Sequence, residues 1–169
     1  MAKVIVVGGG PAGIMAAISA SKQNEVILIE KNNEIGKKLK LTGGGRCNIT
    51  NNRNIEDFFD KVVNNKKFLY SSFYTFSNYD LLEYFKENNL EYKVEYDEKV
   101  YTKSDKADDV INVLLSNLSK NNVEIISISD HNSVKAVERA LNYSRDKDIK
   151  VIPGIEIDCT FNDINLHLL

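Results

Sequence analysis

The sequence has few of the residues that define several classes of protein. It contains two cysteines, Cys47 and Cys159, two prolines and no tryptophan in 169 residues. Two distant cysteines without a CxxC spacing exclude a disulfide framework and a zinc knuckle, so both thiols are expected to be reduced. The scarcity of proline leaves no proline-rich linker, and any join between segments is expected inside packed structure.

Long apolar runs and an excess of one charge are also missing. No run approaches the roughly 20 apolar residues that cross a bilayer, and Met1 and Ala2 lead straight into a strand without a signal peptide. A cytoplasmic protein without membrane partners is therefore expected. The net charge of −2 and the pI near 5.8 give no electrostatic reason to expect a nucleic acid partner. With 43% hydrophobic residues, the chain has enough apolar content for one ordinary core.

The N-terminal residues predict a β-α-β unit. Lys3–Val7 and Glu25–Glu30 are short apolar runs rich in β-branched residues, a composition typical of buried parallel strands. Between them, the alanine-rich segment Pro11–Ser21 predicts a helix. Strand, helix and strand in this order form the repeating unit of a doubly wound, Rossmann-like α/β fold.

The turn of this unit carries a dinucleotide fingerprint, GGGPAG at residues 8–13. Gly8 permits a tight turn, Gly10 leaves no side chain between backbone and pyrophosphate, and Gly13 lets the helix approach the strand. Glu30 ends the second strand, where a carboxylate accepts hydrogen bonds from ribose hydroxyls, which favours FAD or NAD over NADP. The predicted cofactor-binding residues of this segment are Gly8, Gly10, Pro11, Ala12, Gly13, Glu30 and Lys31.

Apolar spacing predicts the elements that follow. The clearest is a helix at 105–120, capped by Ser104, because its apolar residues recur on one face. The aromatic side chains of 68–85 are expected to pack in the core rather than to line a substrate cage, and Cys47 is expected to be a small packed residue without a redox role. The predicted elements are helices at 66–76, 80–88, 105–120 and 133–145, and strands at 92–95, 99–101, 123–129 and 150–158.

A second glycine cluster, LTGGGRCNITN at residues 41–51, is the most specific motif in the chain. Its glycines offer backbone donors, and Arg46 offers planar, charge-assisted hydrogen bonds to a flavin or its pyrophosphate. With GGGPAG, the EKN run at 30–32, FSNYD at 76–80 and KSDKA at 103–107, this motif makes residues 1–124 resemble the N-terminal part of the BaiN-like family of bacterial NAD(P)/FAD-dependent flavoproteins.

The resemblance implies an FAD-binding flavoprotein oxidoreductase, with NAD(P)H as a candidate electron donor. It also implies that Gly43, Gly44, Arg46 and Asn48 contact the FAD. Two departures accompany it. A proline usual in that family near Thr102 is absent, and so are the C-terminal strands that close over the isoalloxazine. A first domain at 1–122, a partial FAD-binding Rossmann-like domain, is predicted on this basis.

The C-terminal residues carry a different signature. An apolar strand ends in Asp130 and His131, and Glu156 and His167 lie at or near the ends of the next two strands. Such ligands suit metal ions that activate water for phosphoester hydrolysis. The motifs DHNS, PGIE and LHLL resemble the PHP (polymerase and histidinol phosphatase) family, which implies that His131 and His167 bind a divalent metal, that Glu156 bridges, and that Asp130 supports them.

The two signatures together predict a chimeric or truncated chain. A β-α-β fragment of a PHP-type barrel at 123–169 would be joined to the Rossmann-like part within 120–126. Because the PHP family's His-x-His and Asp-x-His motifs are missing, three candidate ligands would hold a metal weakly. Three functions stay open: an FAD-binding oxidoreductase fragment, a metal-dependent phosphoesterase fragment, and an inactive chimera that retains nucleotide affinity.

Overall fold

The structure is a computed structural model that describes residues 1–32, 34–127, 149–153, 157–161 and 164–168. The chain divides into two compact units. The first contains Met1–Lys38 and Leu114–Leu169, and the second contains Leu39–Val113. Each unit is described by itself below.

The described part of the first unit consists mainly of strands, with a helix between the first two, and a small sheet with short helices forms the second. Within the described ranges, no helix is long and apolar enough to cross a membrane. In chain order the elements are β1 (Lys3–Val7), α1 (Pro11–Ser21), β2 (Glu25–Glu30), β3 (Thr50–Asn51), α2 (Ile55–Phe59), α3 (Lys66–Thr75), α4 (Asn78–Glu87), β4 (Tyr92–Val94), β5 (Lys99–Thr102), α5 (Ala107–Lys120), β6 (Glu124–Ser127), β7 (Ile149–Pro153), β8 (Ile157–Phe161) and β9 (Ile164–Leu168).

A four-stranded parallel sheet in the order β6-β2-β1-β7 organises the first unit. β1 lies at its centre, with Lys3 opposite both Glu25 of β2 and Ile149 of β7. The carboxyl ends of these parallel strands therefore meet at one edge, where the turn after β1 begins. In open α/β sheets this edge is where ligands bind. The predicted Rossmann-like α/β class is confirmed for this unit.

The apolar runs of β1 and β2 are buried, as their composition predicts. Val4 and Val6 of β1 and Val26 and Leu28 of β2 form part of the core. From α1, Ile14, Ala17 and Ile18 are also buried. The observed bounds of β1, α1 and β2 agree with the predicted ones because each segment has a clear apolar run between glycines or polar residues.

The segment assigned to a PHP fragment contributes two strands to this sheet. β6 pairs with β2 and β7 pairs with β1, both in parallel. The predicted helix at 133–145 lies outside the described residues. β8 and β9 form an antiparallel pair in which Asp158 is opposite His167. The predicted domain boundary at residue 122 stays a prediction, and the PHP-barrel fragment is not shown by this topology.

The second unit contains a three-stranded antiparallel sheet in the order β3-β5-β4. Thr50 of β3 pairs with Val100 of β5, and Tyr92 of β4 pairs with Thr102. Val100 is fully buried, and so is Thr102. Phe59, Leu82, Phe85 and Leu90 are the other large buried side chains of this unit, apart from the glycine-rich segment and α5.

Most aromatic side chains of residues 68–85 are exposed, so the prediction that they pack in the core is wrong for this segment. No residue of α3 is buried, and Phe68 is 83% exposed. The reason is geometric: the apolar residues of α3 point in several directions, and a single helix buries one face. The rings instead contact one another at the edge of the core, with Phe59 within 4.4 Å of Tyr70 and 5.5 Å of Phe73 between ring centroids.

α5 has the predicted buried face but begins two residues later than predicted. Asp105 has φ of +60°, in the left-handed region, and cannot belong to the helix. The backbone N–H of Lys106 donates to the hydroxyls of Thr102 at 3.0 Å and Ser104 at 3.2 Å, so Ser104 shares the predicted capping role. The buried residues of α5 are Ala107, Val110, Ile111, Leu114 and Leu118.

A capping box starts α4. The Ser77 hydroxyl accepts from the backbone N–H of Asp80 at 3.2 Å, and the Asp80 carboxylate accepts from the backbone N–H of Ser77 at 2.7 Å. The Ser77 hydroxyl also donates to that carboxylate, and these hydrogen bonds hold the pKa of Asp80 below its usual range. The carboxylate form of Asp80 is therefore favoured by folding.

This cap gives a pH-dependent contribution to the stability of the chain. A carboxyl group whose pKa is lowered by folding stabilises the fold above its unfolded pKa, about 3.9, and loses that contribution as pH falls through the folded pKa. We therefore expect Asp80→Asn to lower the thermal midpoint at neutral pH, and we expect its difference from the unaltered chain to shrink as pH falls below about 3.9 and through the lowered folded pKa. Glu83→Gln, exposed on the same helix, is the control. If the difference in thermal midpoint between Asp80→Asn and the unaltered chain stays constant from neutral to acid pH, the Asp80 carboxylate does not stabilise the fold through this cap.

Candidate cofactor-binding site

The turn between β1 and α1 brings the fingerprint glycines together. Gly8 has φ of +106°, and its N–H donates to the carbonyl of Ile29 at 2.7 Å, which ties the turn to the end of β2. A Cβ added to Gly13 would lie 1.9 Å from the carbonyl oxygen of Gly8 and 3.1 Å from its carbon. Only glycine therefore allows the first turn of α1 to lie this close to the strand end.

The N-terminal end of α1 is open to an anion. Gly10 precedes the helix without a side-chain capping hydrogen bond, and its first turn carries no acidic residue. Pro11 occupies the first turn and Ala12 is exposed. The N–H groups of a first turn have no acceptor within their own helix, and the helix dipole favours negative charge there. The structure thus places the predicted pyrophosphate-binding residues on one small surface.

Glu30 is a buried carboxylate at the end of β2, 7% exposed. Its Oε2 accepts from the backbone N–H of Gly9 at 2.5 Å, and its Oε1 accepts from the backbone N–H of Asn32 at 2.8 Å and from Asn32 Nδ2 at 2.6 Å. A Cβ on Gly9 would lie 2.9 Å from Oε2. The carboxylate is therefore held against the fingerprint turn, whereas the predicted neighbour Lys31 is exposed.

The second glycine cluster forms a compact turn in the second unit. Gly43, Gly44 and Gly45 all have positive φ, between +58° and +89°, and all three are exposed. The N–H of Cys47 donates to the carbonyl of Thr42 at 3.1 Å and closes the turn. We refer to residues 42–47 as the glycine turn. Its exposed backbone has the donors and the lack of side chains that a bound cofactor requires.

Cys47 and Asn48, which follow the glycines, differ in exposure: Cys47 is buried and Asn48 is exposed. Cys47 is 1% exposed, which confirms the expectation of a small packed residue. Burial raises the pKa of its thiol, a shift that the hydrogen bond with Thr42 partly opposes, so the thiol form is favoured. Asn48 is exposed, and its backbone N–H would lie 3.1 Å from a Cβ on Gly43.

Arg46 extends from the glycine turn into a charged cluster. Its Nη2 donates to Glu95 Oε1 at 2.6 Å, and its Nε donates to Asp105 Oδ1 at 2.8 Å. Lys93 Nζ lies 2.6 Å from Asp105 Oδ2 and 3.2 Å from Glu95 Oε1. The guanidinium carbon lies 4.1 Å from the centre of the Tyr101 ring. We call Arg46, Lys93, Glu95, Tyr101 and Asp105 the arginine cluster.

Hydrogen bonding in the arginine cluster favours the charged forms of Arg46, Lys93, Glu95 and Asp105. The hydrogen bonds to Glu95 and Asp105 raise the pKa of Arg46, and the hydrogen bond from Arg46 lowers the pKa of Glu95. Lys93 and Arg46 lower the pKa of Asp105 in the same way. The sequence gives no local signal for this cluster, because its members come from separate strands and turns.

Asn78, like the partners of Arg46, is a residue to which the sequence analysis gave no role. It is 5% exposed at the start of α4, and its Nδ2 donates at 2.9 Å to the carbonyls of both Asn51 and Arg53. It therefore holds the chain that leaves the LTGGGRCNITN motif. The signal was the FSNYD segment, where a capping serine directly precedes the asparagine.

Removing this amide is expected to destabilise the second unit. Asn78→Ala loses two hydrogen bonds to backbone carbonyls, at about 2 kcal/mol in total. Thermal or urea unfolding measures the loss. Asn112→Ala, on the exposed side of α5, is the matched control and should change stability by less than about 0.5 kcal/mol. Equal unfolding midpoints for the two variants would show that Asn78 has no tethering role.

The predicted metal ligands are not assembled in the described part of the chain. Asp130, His131 and Glu156 lie outside the described residues, and the backbone of His167 belongs to β9. Among the residues that the structure describes, no three His, Cys, Asp or Glu side chains lie close enough to hold a metal ion. The divalent metal predicted from the C-terminal motifs thus gains no support from the structure.

Comparison with protein families decides the identity of the larger part of the chain. A sequence profile described as the HI0933-like protein Rossmann domain matches residues 2–152. The chain belongs to this family. The match agrees with the predicted BaiN-like flavoprotein class, and it continues through β6 and β7 into the segment that was assigned to a PHP fragment. The PHP and chimera predictions therefore gain no support.

Three curated relatives illustrate what this HI0933-like chain is similar to. The 3-dehydro-bile acid delta(4,6)-reductase of Clostridium scindens is 44% identical over 54 residues, 30% of this chain and 13% of the reductase. The ribosomal RNA dihydrouridine synthase of Haemophilus influenzae is 24% identical over 156 residues, 92% of this chain and 37% of the synthase. The NADH oxidase of Thermoanaerobacter brockii is 55% identical over 40 residues, 23% of this chain and 6% of the oxidase.

The HI0933-like chain spans only part of these proteins, at most 37% of the length of the relatives described above. Among solved structures, the crystal structure of Thermovibrio ammonificans THI4 matches with a TM-score of 0.48 and 16% identity, over 75% of this chain and 37% of that one. The family assignment rests on the sequence profile and does not depend on this likeness.

Proposed function

We propose that this chain binds FAD and forms part of a flavoprotein oxidoreductase. The observation that carries the proposal is the contact between Gly13 and Gly8, where an added Cβ would lie 1.9 Å from a carbonyl oxygen. Such an approach brings the N-terminus of α1 up to the end of β1 and leaves space for a pyrophosphate beside the backbone. A dinucleotide fits the chemistry of this surface better than a mononucleotide, because it supplies both pyrophosphate and ribose.

Each group of predicted residues has a role in this proposal. The N–H groups of the first turn of α1 hold the pyrophosphate, and Glu30 accepts hydrogen bonds from ribose hydroxyls while it keeps Gly9 in place. By the resemblance to BaiN-like flavoproteins, Gly43, Gly44 and Asn48 are further FAD-binding residues. Bound FAD supplies the capacity to carry electrons between a donor, for which NAD(P)H is proposed, and a substrate.

The chemistry that we propose is reduction of a carbon–carbon double bond. The names of two relatives describe this kind of change, since a delta(4,6)-reductase and a dihydrouridine synthase both yield products with added hydrogen. The synthase alignment covers 92% of this chain, which makes a pyrimidine ring in RNA one candidate substrate. The prediction from net charge that no nucleic acid binds opposes the RNA candidate and stays untested. A small-molecule cofactor and a cytoplasmic location are part of the same proposal.

Flavin binding to the purified chain tests the proposal. Bound FAD would give the chain a visible flavin absorption, and FAD added to colourless protein should bind with quenched flavin fluorescence. ADP should compete with FAD, because it carries the pyrophosphate and the ribose that the fingerprint turn holds, whereas FMN should compete weakly. Absence of FAD binding at saturating concentration, with the chain folded by circular dichroism, would refute the proposal.

A further inference from the structure

We propose that Arg46 is a positioning residue that fixes the glycine turn for the cofactor, rather than a direct ligand of the cofactor's phosphates. The inference rests on the proposed function, and it assigns Arg46 a role different from the one that the resemblance implies. Its basis is the arginine cluster, in which the guanidinium already faces two carboxylates and an aromatic ring.

The charges in the cluster are balanced. Two cations, Arg46 and Lys93, face two anions, Glu95 and Asp105, with nitrogen to oxygen distances of 2.5–3.2 Å. A phosphate that approached Arg46 would meet the two carboxylates as well, and their repulsion offsets the attraction of the guanidinium. The arrangement therefore favours a structural use of the arginine charge.

The cluster also holds the shape of the glycine turn. Arg46 is the residue directly before Cys47, whose N–H closes the turn on Thr42, and the N–H of Arg46 itself donates to the carbonyl of Gly43 at 3.4 Å. The Tyr101 ring, which stacks under the guanidinium, would lie 3.3 Å from a Cβ on Gly43. The side chain of Arg46 thus fixes one end of the turn, while Tyr101 supports its first glycine.

Glycines with positive φ need such support. Gly43, Gly44 and Gly45 have more conformational freedom than any other residue type, so an unsupported run of three would sample many backbone shapes. A cofactor that binds one of these shapes would lose affinity in proportion to the population of the others. The two ion pairs of Arg46 reduce that loss, because they anchor the turn to Glu95, directly after β4, and to Asp105, shortly before α5.

Two sets of variants distinguish positioning from direct contact. Arg46→Met removes the guanidinium. The double variant Glu95→Gln with Asp105→Asn keeps Arg46 and removes the negative charges of its two partners. If Arg46 positions the turn, Arg46→Met and the double variant should each weaken FAD binding by about tenfold. The triple variant, which combines the three substitutions, should bind FAD no more weakly than either of them, because all of these changes disrupt the same cluster. Arg46→Lys should restore part of the affinity, since it keeps the charge without the planar fork.

The opposite result is equally clear. Were Arg46 a phosphate ligand, removal of the carboxylates would leave FAD affinity unchanged or increase it, while Arg46→Met would still weaken it. That pattern, or an Arg46→Met variant with unaltered affinity, overturns the proposal. Lys66→Met is the matched control, because it removes an exposed ion pair with Asp60 in the same unit and should leave the FAD dissociation constant unchanged.

Hydrogen exchange in the absence of FAD separates this proposal from the proposed function. The amides of Arg46 and Cys47 should exchange faster in Arg46→Met and in the carboxylate double variant than in the unaltered chain. Unchanged exchange at both amides would overturn the positioning role whether or not FAD binds. Conversely, faster exchange in a chain that never binds FAD would show that the cluster holds the turn and that the proposed function has failed.

Discussion

Replacement of Gly13 by alanine is expected to abolish FAD binding and to destabilise the chain by about 3 kcal/mol or more. The new methyl group would lie 1.9 Å from the carbonyl oxygen of Gly8, and that oxygen belongs to backbone that cannot rotate out of the way. α1 would have to shift away from the end of β1, which displaces its first-turn N–H groups from the pyrophosphate. A lower thermal midpoint, by roughly 6–12 °C, should accompany the loss of flavin binding.

The matched control for this substitution is Gly44→Ala. It makes the same chemical change at a position where an added Cβ meets nothing within 4 Å, so only the strain of a positive φ remains, about 1 kcal/mol. Its thermal midpoint should therefore fall much less than that of Gly13→Ala. If both variants melt at the same temperature, the close approach of α1 to β1 does not exist in solution.

Loss of the Glu30 carboxylate is expected to weaken FAD binding by roughly tenfold to a hundredfold, the equivalent of about one charge-assisted hydrogen bond. Glu30→Ala leaves the buried N–H of Gly9 without its acceptor at 2.5 Å and removes the acceptor of two hydrogen bonds from Asn32. The fingerprint turn loses its support, and the ribose loses its acceptor. Glu25→Ala, at the exposed end of the same strand, should leave FAD affinity unchanged.

The hydrogen bond between Glu30 and the ribose can be measured separately from the support that Glu30 gives to the fingerprint turn. In the unaltered chain ADP should compete with FAD better than its 2′-deoxy analogue does, because Glu30 accepts from the ribose hydroxyls. In Glu30→Ala the two competitors should become equal, since the acceptor is gone and the remaining losses affect both alike. If Glu30→Ala still binds ADP more tightly than 2′-deoxy-ADP, a residue other than Glu30 accepts the hydrogen bond from the ribose hydroxyl.

Local rules were sufficient to predict the first half of the proposed site. A turn that needs glycine at residues 8 and 13, followed by a helix and a strand that ends in an acid, is encoded within thirty residues, and the structure confirms the order of these elements. The sheet order could not be read in this way. The pairing of β7 with β1 joins residues that are more than 140 positions apart in the chain, and no local pattern indicates such a pairing.

The partners of Arg46 were beyond sequence reasoning for a similar physical reason. Glu95 and Asp105 follow it by 49 and 59 residues, and no periodicity connects the three positions. Aromatic content also does not predict the exposure of Phe68 and its neighbours, because aromatic residues occur in buried and in exposed positions. On a helix with apolar residues on several sides, composition predicts ring contacts but not a buried face.

The discontinuity of the first unit sets the order in which the fold is completed during synthesis. Residues 39–113 are continuous, so the β3-β5-β4 sheet acquires all its strands before β7 leaves the ribosome. β1, although made first, has a hydrogen-bonding edge with no neighbour until Ile149–Pro153 arrives to pair with Lys3–Val7. That interval exposes an apolar strand edge in the nascent chain, where pairing with another molecule is the competing reaction.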